Sequence, residues 1–482
     1  MKKLAGFVML MAAGILWGQE QDEQSVFKKR VLDNTEVSWL LSFYQQEGSH
    51  AAVTGGIGNE KLNDFAQNIK LHIPVKEDNV LNLDLTVSGY TSASSSNLNP
   101  FTATEDNQKK PAAARLYATS GKEVTGSPWV ASSGASSKDM WVNLKAGYQH
   151  YSDDRNRIYG TTFGVANEFD YFSLGGGLDY STLFNEKNTE ISIGTQIYLD
   201  HWRPQYPIEI KTFLDYDGDL NAGIFEDVPI LDQNGNEINK YGSPAWSPVS
   251  EDFVDDKRRN TYVLSLGFSQ ILTPNAQMGI FTDITYQTGW LSNPMQRVYF
   301  ADKPNYYIGR AEDIDHYTDP SNTGVFQLAD DYEKLPRERL KIPVGLRLHY
   351  YLNEHAVLRT YYRYYADTWG IQSHTWNVDL PLKISGKFTL YPGYRYYTQT
   401  AARYFAPYET HLSSEVFYTS DYDLSAFHAH QVGLGIKYTD IFTSHKIWKL
   451  AIKSMHLDFN QYWRSDGLRA HIISWHMDFV AD

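Results

Sequence analysis

Four arginines recur at strand spacing in the last third of the chain. Arg347 shares a face with Lys341 and His349 in the stretch 338–352. Arg359 and Arg363 share one with Tyr361 and Tyr365 in 356–368, and Arg395 shares one with Tyr391 and Tyr397 in 387–402. In an extended chain, residues two apart point the same way. A charged side chain turned to lipid costs about 2–4 kcal/mol near the bilayer midplane, so in a membrane barrel these faces turn to the lumen. Guanidinium groups without counter-ions there would make a positive wall that favours anions. The other reading is a lattice in which they pair with Glu168, Asp200, Asp283, Asp367 and Asp379 and brace a narrow or blocked lumen.

A second constellation is Asp215-Tyr-Asp217-Gly-Asp219-Leu-Asn221-Ala-Gly223-Ile-Phe-Glu226. Oxygen-bearing residues at positions 1, 3, 5 and 12 match a calcium loop, because a hard cation needs six or more converging oxygens. The sixth position, glycine in such loops, is Leu220; a solvated acidic loop is the alternative. Tyrosines cluster at Tyr361-Tyr362, Tyr364-Tyr365, Tyr394 and Tyr396-Tyr397, with Tyr404-Phe405 beyond. Even-numbered members fall on the apolar face and suit an interfacial girdle, while odd-numbered members fall beside the arginines, as packing or as a platform for a flat ligand. Signatures of catalysis are missing: no G-x-S-x-G elbow, no H-E-x-x-H and no Gly-rich phosphate loop. The fifteen histidines are scattered, His428/His430 and His471/His476 being the closest groups. No enzyme is expected.

Strands must position all of these side chains. Asn82–Tyr90 sets Leu83, Leu85 and Val87 against Asn82, Asp84, Thr86 and Ser88, and the same alternation recurs along most of the chain. It predicts strands near 38–47, 66–75, 80–91, 138–151, 157–169, 171–183, 189–202, 259–272, 275–289, 338–352, 356–368, 371–384, 387–402, 430–440, 446–461 and 467–481. That is about sixteen, within a range of 14–18, and even, as in single-chain bacterial barrels. The connections alternate: short turns such as Thr273–Pro274 and Ser385-Gly386 on one side, and all four long segments, 92–137, 203–258, 290–337 and 403–429, on the other. A soluble sandwich has no reason to obey that rule; an outer-membrane barrel does, with long loops outside the cell and short turns in the periplasm.

Met1-Lys2-Lys3 followed by apolar Leu4–Trp17 reads as a secretory signal over residues 1–19, cleaved near Gly18 or Gln19. Residues 20–37 follow as a periplasmic segment, and 38–482 as the barrel. The chain has no cysteine, which excludes disulfides and a thiol redox role. Tyrosine (35) and tryptophan (12) are abundant, yet mean hydropathy is only −0.46. Strands that are half polar, with aromatic girdles, produce that combination. A formal charge of −14 argues against nucleic acid as a partner.

Several ordered runs resemble a known family: Val53-Thr54-Gly55-Gly56-Ile57-Gly58, Gly89-Tyr90-Thr91-Ser92-Ala93-Ser94, Leu291–Phe300, Tyr361–Gly370, Tyr394–Tyr404 and Tyr418–Ser425. Together, from about residue 40 to the C-terminus, they resemble the domain of unknown function 3570 family of Gram-negative outer-membrane proteins. The resemblance implies a barrel without an assigned activity; members of that family are often encoded near a flavin transferase and a thioredoxin-like protein, which hints at a surface redox system. Thr102–Pro128, Asp215–Tyr241 and Glu312–Asp331 look particular to this chain, the first mobile and the others acidic loop material. The expected function is a channel or envelope-transport component for small polar or anionic solutes. Its alternative is a non-conducting scaffold that anchors periplasmic, lipoprotein or surface partners, with outer-membrane lipid around it in either case.

Overall fold

A computed structural model describes residues 30–92, 100, 124, 126–131, 138–322 and 324–481. The expected signal segment, most of 20–37 and most of Thr102–Pro128 lie outside the described residues. Sixteen long strands follow one another in chain order. They are β1 (Glu36–Glu47), β2 (Leu62–Val75), β3 (Asn79–Ser92), β4 (Lys138–Tyr151), β5 (Arg157–Asn167), β6 (Tyr171–Phe184), β7 (Thr189–Trp202) and β8 (Arg258–Thr273). The second half comprises β9 (Ala276–Gly289), β10 (Glu338–Asn353), β11 (Ala356–Asp367), β12 (Gln372–Asp379), β13 (Phe388–Gln399), β14 (Phe427–Thr439), β15 (Leu450–Arg464) and β16 (Arg469–Ala481). Each pairs antiparallel with its neighbours in sequence, and β1 pairs with β16 through Glu36↔Val480 to Glu47↔Arg469, closing the sheet. Closure removes the sheet edges that lipid could not satisfy.

The two faces of each strand sort as alternation requires. On β7, Ile191, Ile193, Ile197 and Leu199 are exposed, as are Leu264 and Leu266 on β8, Leu346 and Leu348 on β10, Leu434 on β14 and Phe459 on β15. An apolar belt around the outside of a closed sheet is the surface a bilayer covers. The inward face carries Ser, Thr, Asn, Asp, Arg and many glycines. Gly345 shows why glycine is used there: the Phe281 ring of β9 lies across it, and a Cβ would stand 2.3 Å from Phe281 Cζ.

One strand predicted as continuous over 371–384 is broken. The β12 ladder ends at Asp379 and resumes as the short pairing of Leu382–Lys383 with Thr389 and Leu390. Pro381 between them has no N–H to give a ladder. The strand predicted over 446–461 is β15, shifted towards 464. The residues before it form a tight reversal in which Lys446 and Ile447 pair with Ala451 and Leu450. The Asp440 carboxylate holds that reversal, accepting from the backbone N–H of Ser444 (3.0 Å) and His445 (3.1 Å).

The larger difference concerns the outer loops. We label them L1 (48–61), L2 (93–137), L3 (168–170), L4 (203–257), L5 (290–337), L6 (368–371), L7 (400–426) and L8 (465–468). Segments 215–241 and 312–331, read above as acidic loop material, help build a folded cap with its own cores. Leu220, Phe225, Ile230 and Trp246 of L4 pack with Ile308, Phe326 and Leu328 of L5 and with Val124 of L2. Tyr206 and Ile210 of L4 pack with Tyr299, Ala329 and Tyr332 of L5 and with Tyr408 of L7. Strand Tyr306–Gly309 pairs with Val325–Leu328 and with Leu231–Asp232, and Arg297–Val298 pairs with Asp331–Tyr332. Each large apolar side chain fully buried contributes about 1.5–3 kcal/mol, so these loops are held by the same forces as a small domain.

Candidate functional site

The lumen is built from the inward faces of the strands, and the pairing register fixes which side chains meet. On β10, β11 and β13 the inward set includes Lys341, Arg347 and His349, then Arg359, Tyr361, Arg363 and Tyr365, then Tyr391, Arg395 and Tyr397. The register places Arg347 opposite Tyr361, His349 opposite Arg359, Arg363 opposite Thr375, and Arg395 opposite Asn377. Aromatic rings hold several of these cations. The Arg347 guanidinium lies 4.6 Å from the Phe281 ring centroid and 5.8 Å from that of Tyr361, rings that stack on one another at 6.0 Å. Arg359 lies 5.9 Å from Tyr391, and Arg363 lies 6.0 Å from Tyr365. Among the described residues, Arg347, Arg359, Arg363 and Arg395 make no ion pair within 4.0 Å. Arg347 and Arg359 stand on diagonal positions of neighbouring strands, roughly 7–8 Å apart at the Cα atoms. Like charges on such neighbouring positions repel.

The five candidate acids are placed differently from a lattice around this row. Asp379 faces Arg359 across the β11–β12 pairing, yet its carboxylate accepts from Asn377 Nδ2 (2.8 Å). Asp367 pairs with Arg339, whose Nε and Nη2 donate at 2.9 and 2.5 Å, and accepts from the Tyr365 hydroxyl (2.7 Å). Asp200, on the inward face of β7, pairs with Arg259 (3.0 Å). Asp283 accepts from Ser265 Oγ (2.6 Å), and Glu168, in L3, accepts from the Tyr90 hydroxyl. Arg259 and Arg339 are therefore the paired lumen arginines that sequence reasoning missed. Both sit at strand ends where rings cover them: Arg259 over Trp202 (4.8 Å) and Arg339 over Trp369 (4.1 Å). Their parity was a usable signal, since Arg339 shares a face with Lys341 and Arg347.

The proposed calcium residues Asp215, Asp217, Asp219 and Glu226 do not converge. Asp215 ends helix α2 (Ile208–Asp215; α1 is the turn Pro128–Ala131) and pairs with Lys211. Asp219 accepts from Asn221 N–H (2.9 Å) and the Tyr241 hydroxyl (3.3 Å). No group of three or more His, Asp or Glu placed to hold a metal ion occurs among the described residues. Leu220, which replaces the turn glycine, is buried with Ile224 and Phe225 in the cap core, so the segment folds inward on apolar side chains.

The even-numbered tyrosines of the strands lie on the outer face, but Tyr404 does not: it sits in L7 against Trp369 and Phe417. Tyr362, Tyr364, Tyr394 and Tyr396 meet His374, Trp376 and His430 in one patch, with ring centroids 5.1–6.1 Å apart. This is the outer-leaflet side of the barrel, where amphipathic rings sit at the level of lipid headgroups.

Above the lumen, the cap spans the mouth. L1 leaves between β1 and β2, and L5 leaves between β9 and β10, eight strands and half the circumference away. They nevertheless touch: Arg297 Nη1 donates to the Val53 carbonyl (2.9 Å). The same guanidinium donates from Nε and Nη2 to the two Glu209 oxygens (2.7 and 3.0 Å), both side chains being buried. Gly55, at φ +78°, lies under Tyr299, and a Cβ there would stand 2.7 Å from the ring. Buried carboxylates run through L5. Asp330 accepts from Phe300 N–H (2.8 Å), and burial raises it to about 7. Glu333 accepts from Asn293 N–H (2.6 Å) and Thr419 Oγ1 (2.5 Å), and burial raises it to about 8.

A closed sixteen-stranded antiparallel sheet, belted in apolar side chains and loaded with long loops on one side only, is an outer-membrane β-barrel. Residues 7–458 match the model of the family of proteins of unknown function DUF3570, and the chain belongs to that family. No curated protein matches the sequence significantly. Among solved structures, the chain is similar to a deltaS2 mutant of the TodX monoaromatic hydrocarbon channel, with 11% identity, 94% of this chain and 91% of that one covered, and a TM-score of 0.37. It is also similar to a bacterial polysaccharide outer membrane secretin (7%, 92% and 98%, TM-score 0.40) and to Pseudomonas aeruginosa OpdK with vanillate (7%, 92% and 98%, TM-score 0.33).

Proposed function

We propose that this barrel is an outer-membrane channel for small polar solutes, with a preference for anions set by Arg347, Arg359, Arg363 and Arg395. The observation that carries this reading is that these four guanidinium groups face the lumen from β10, β11 and β13 without an ion-pair partner among the described residues. A wall built to brace the barrel would have matched them with the nearby carboxylates, because an uncompensated charge cluster costs stability. Sixteen strands also enclose a bore wide enough for water. The cap supports a second reading, in which the loops close the outer mouth and the barrel anchors periplasmic or surface partners without conducting.

Conductance of the folded protein in planar bilayers under a salt gradient separates the two. A steady current whose reversal potential reports anion preference, weakened in Arg359→Ala/Arg363→Ala, is the expected result. A correctly folded barrel that passes no current, with the cap intact and with it loosened, removes the channel reading and leaves the scaffold.

A further inference from the structure

Beneath the cap lies a cavity of about 920 Å³, bounded by L1, L5 and L7 above and by β1, β14 and β15 at the side. Four carboxylates line it: Glu60 from L1, Asp170 from L3, and Asp421 and Asp423 from L7. Asp421 receives the Gln296 amide (3.1 Å) and the Asp423 N–H (2.9 Å) and no cation. Burial lifts Asp421 to about 6 and pushes Glu60 above its ordinary value. Asp423 pairs with Arg464 (2.5 Å), which also holds Asp466 (2.5 Å). The Arg464 side chain is 5% exposed, yet its Nε has no hydrogen-bond partner among the described residues. Gln296 Oε1, also lining the cavity, is unpartnered in the same sense.

Arg464, Asp423, Gln431 and Tyr462 are shared with an adjoining cavity of about 350 Å³ that Arg395 also lines. The joined space thus runs from buried carboxylates short of a cation to a guanidinium short of an anion. A simple anion would pass four carboxylates to reach Arg395. A simple cation would leave Arg395 unpaired. A molecule carrying both signs satisfies both ends, and Tyr44 and Tyr462 offer rings along the way. The volume is that of an ordinary small-molecule site.

We propose that the joined cavities bind a zwitterionic solute, an amino acid or short peptide, with its ammonium group at Glu60 and Asp421 and its carboxylate at Arg395. This deepens the channel reading and rests on it for the solute's route through the membrane. The direct test is calorimetric titration of the detergent-folded protein with alanyl-alanine, its N-acetyl form and its C-terminal amide. The dipeptide should bind, and each blocked form should bind about tenfold more weakly or worse, because each loses one charge-assisted contact. Arg395→Gln should weaken the dipeptide and the N-acetyl form and spare the amide, Glu60→Gln should weaken the dipeptide and the amide and spare the N-acetyl form, and Arg395→Lys should retain most of the affinity. Absence of binding by the dipeptide, equal binding by all three, or equal damage to all three by Arg395→Gln would overturn the proposal. Bilayer conduction without dipeptide binding sinks this site and leaves the channel. Binding without conduction does the opposite.

Discussion

Arg297→Met tests what holds the cap together. Arg297 ties three loops at one point: two bonds to Glu209 of L4, one to the Val53 carbonyl of L1, and its own backbone in the L5 pairing with Tyr332. Methionine keeps most of the volume and removes the charge. Glu209 is then left buried with the Ala329 N–H (3.3 Å) and the first turn of α2 for company, and a helix terminus offsets only a fraction of a buried charge. Removing one partner of a buried pair costs about 3–5 kcal/mol, which raises the population of the opened cap roughly 10²–10⁴-fold. Hydrogen exchange of the folded protein in detergent reads this directly, with the Ile308 and Val298 amides reporting the cap and the β6–β7 amides serving as an internal control. Cap amides should lose protection while barrel amides keep theirs, and Arg297→Met/Glu209→Leu should recover most of the loss because no charge remains unpaired. Cap protection within about 1 kcal/mol of the parent in the single variant, or a double variant as damaged as the single one, would refute the clamp.

Three further outcomes follow from the geometry. Asp330 and Glu333 have pKa values raised to about 7 and about 8 by burial. Their neutral forms are the ones the cap tolerates, so cap stability is greatest at low pH and falls as pH rises from the unfolded carboxylate range through about 8. Protease nicking of L5 should accelerate between pH 6 and pH 9, and Glu333→Gln should flatten that slope. Gly345→Leu drives a side chain into the Phe281 ring; overpacking of this kind costs about 1–3 kcal/mol, read as a lower unfolding midpoint in urea. Gly55→Ala, strained at φ +78° and set against Tyr299, should free L1 from the cap and raise exchange at its amides while the barrel midpoint stays unchanged.

The barrel was legible because its signal is repeated and local. Alternation on a strand such as β7, read over Thr189–Trp202, needs no knowledge of any other strand, and the unequal connections gave the membrane sidedness. The break at Pro381 was also written in the residues, but a single proline was outweighed by alternation on either side of it. Which carboxylate would meet which arginine was not legible. Asp367 looked like a partner for the arginine row and is taken by Arg339, a choice made by β10–β11 register. The cap was missed for a different reason. Leu220, Ile230, Trp246 and Ile308 bury against one another across loops, at irregular spacing that fits neither strand nor helix periodicity, so only their apolar character in nominal loops could have pointed to a core. Leu220 carried both messages at once, being the residue that spoils the calcium pattern and the one that seats the loop.

The contact between Arg297 and Val53 joins residues 244 positions apart in the chain. The first outer loop can therefore find its seat only once L5 is in place. L7, whose Tyr408 packs against Tyr299, joins the same seat. The cap therefore needs loops from both halves of the barrel before it can close. Contacts of such sequence separation form slowly, so the cap should be among the last parts of the protein to fold.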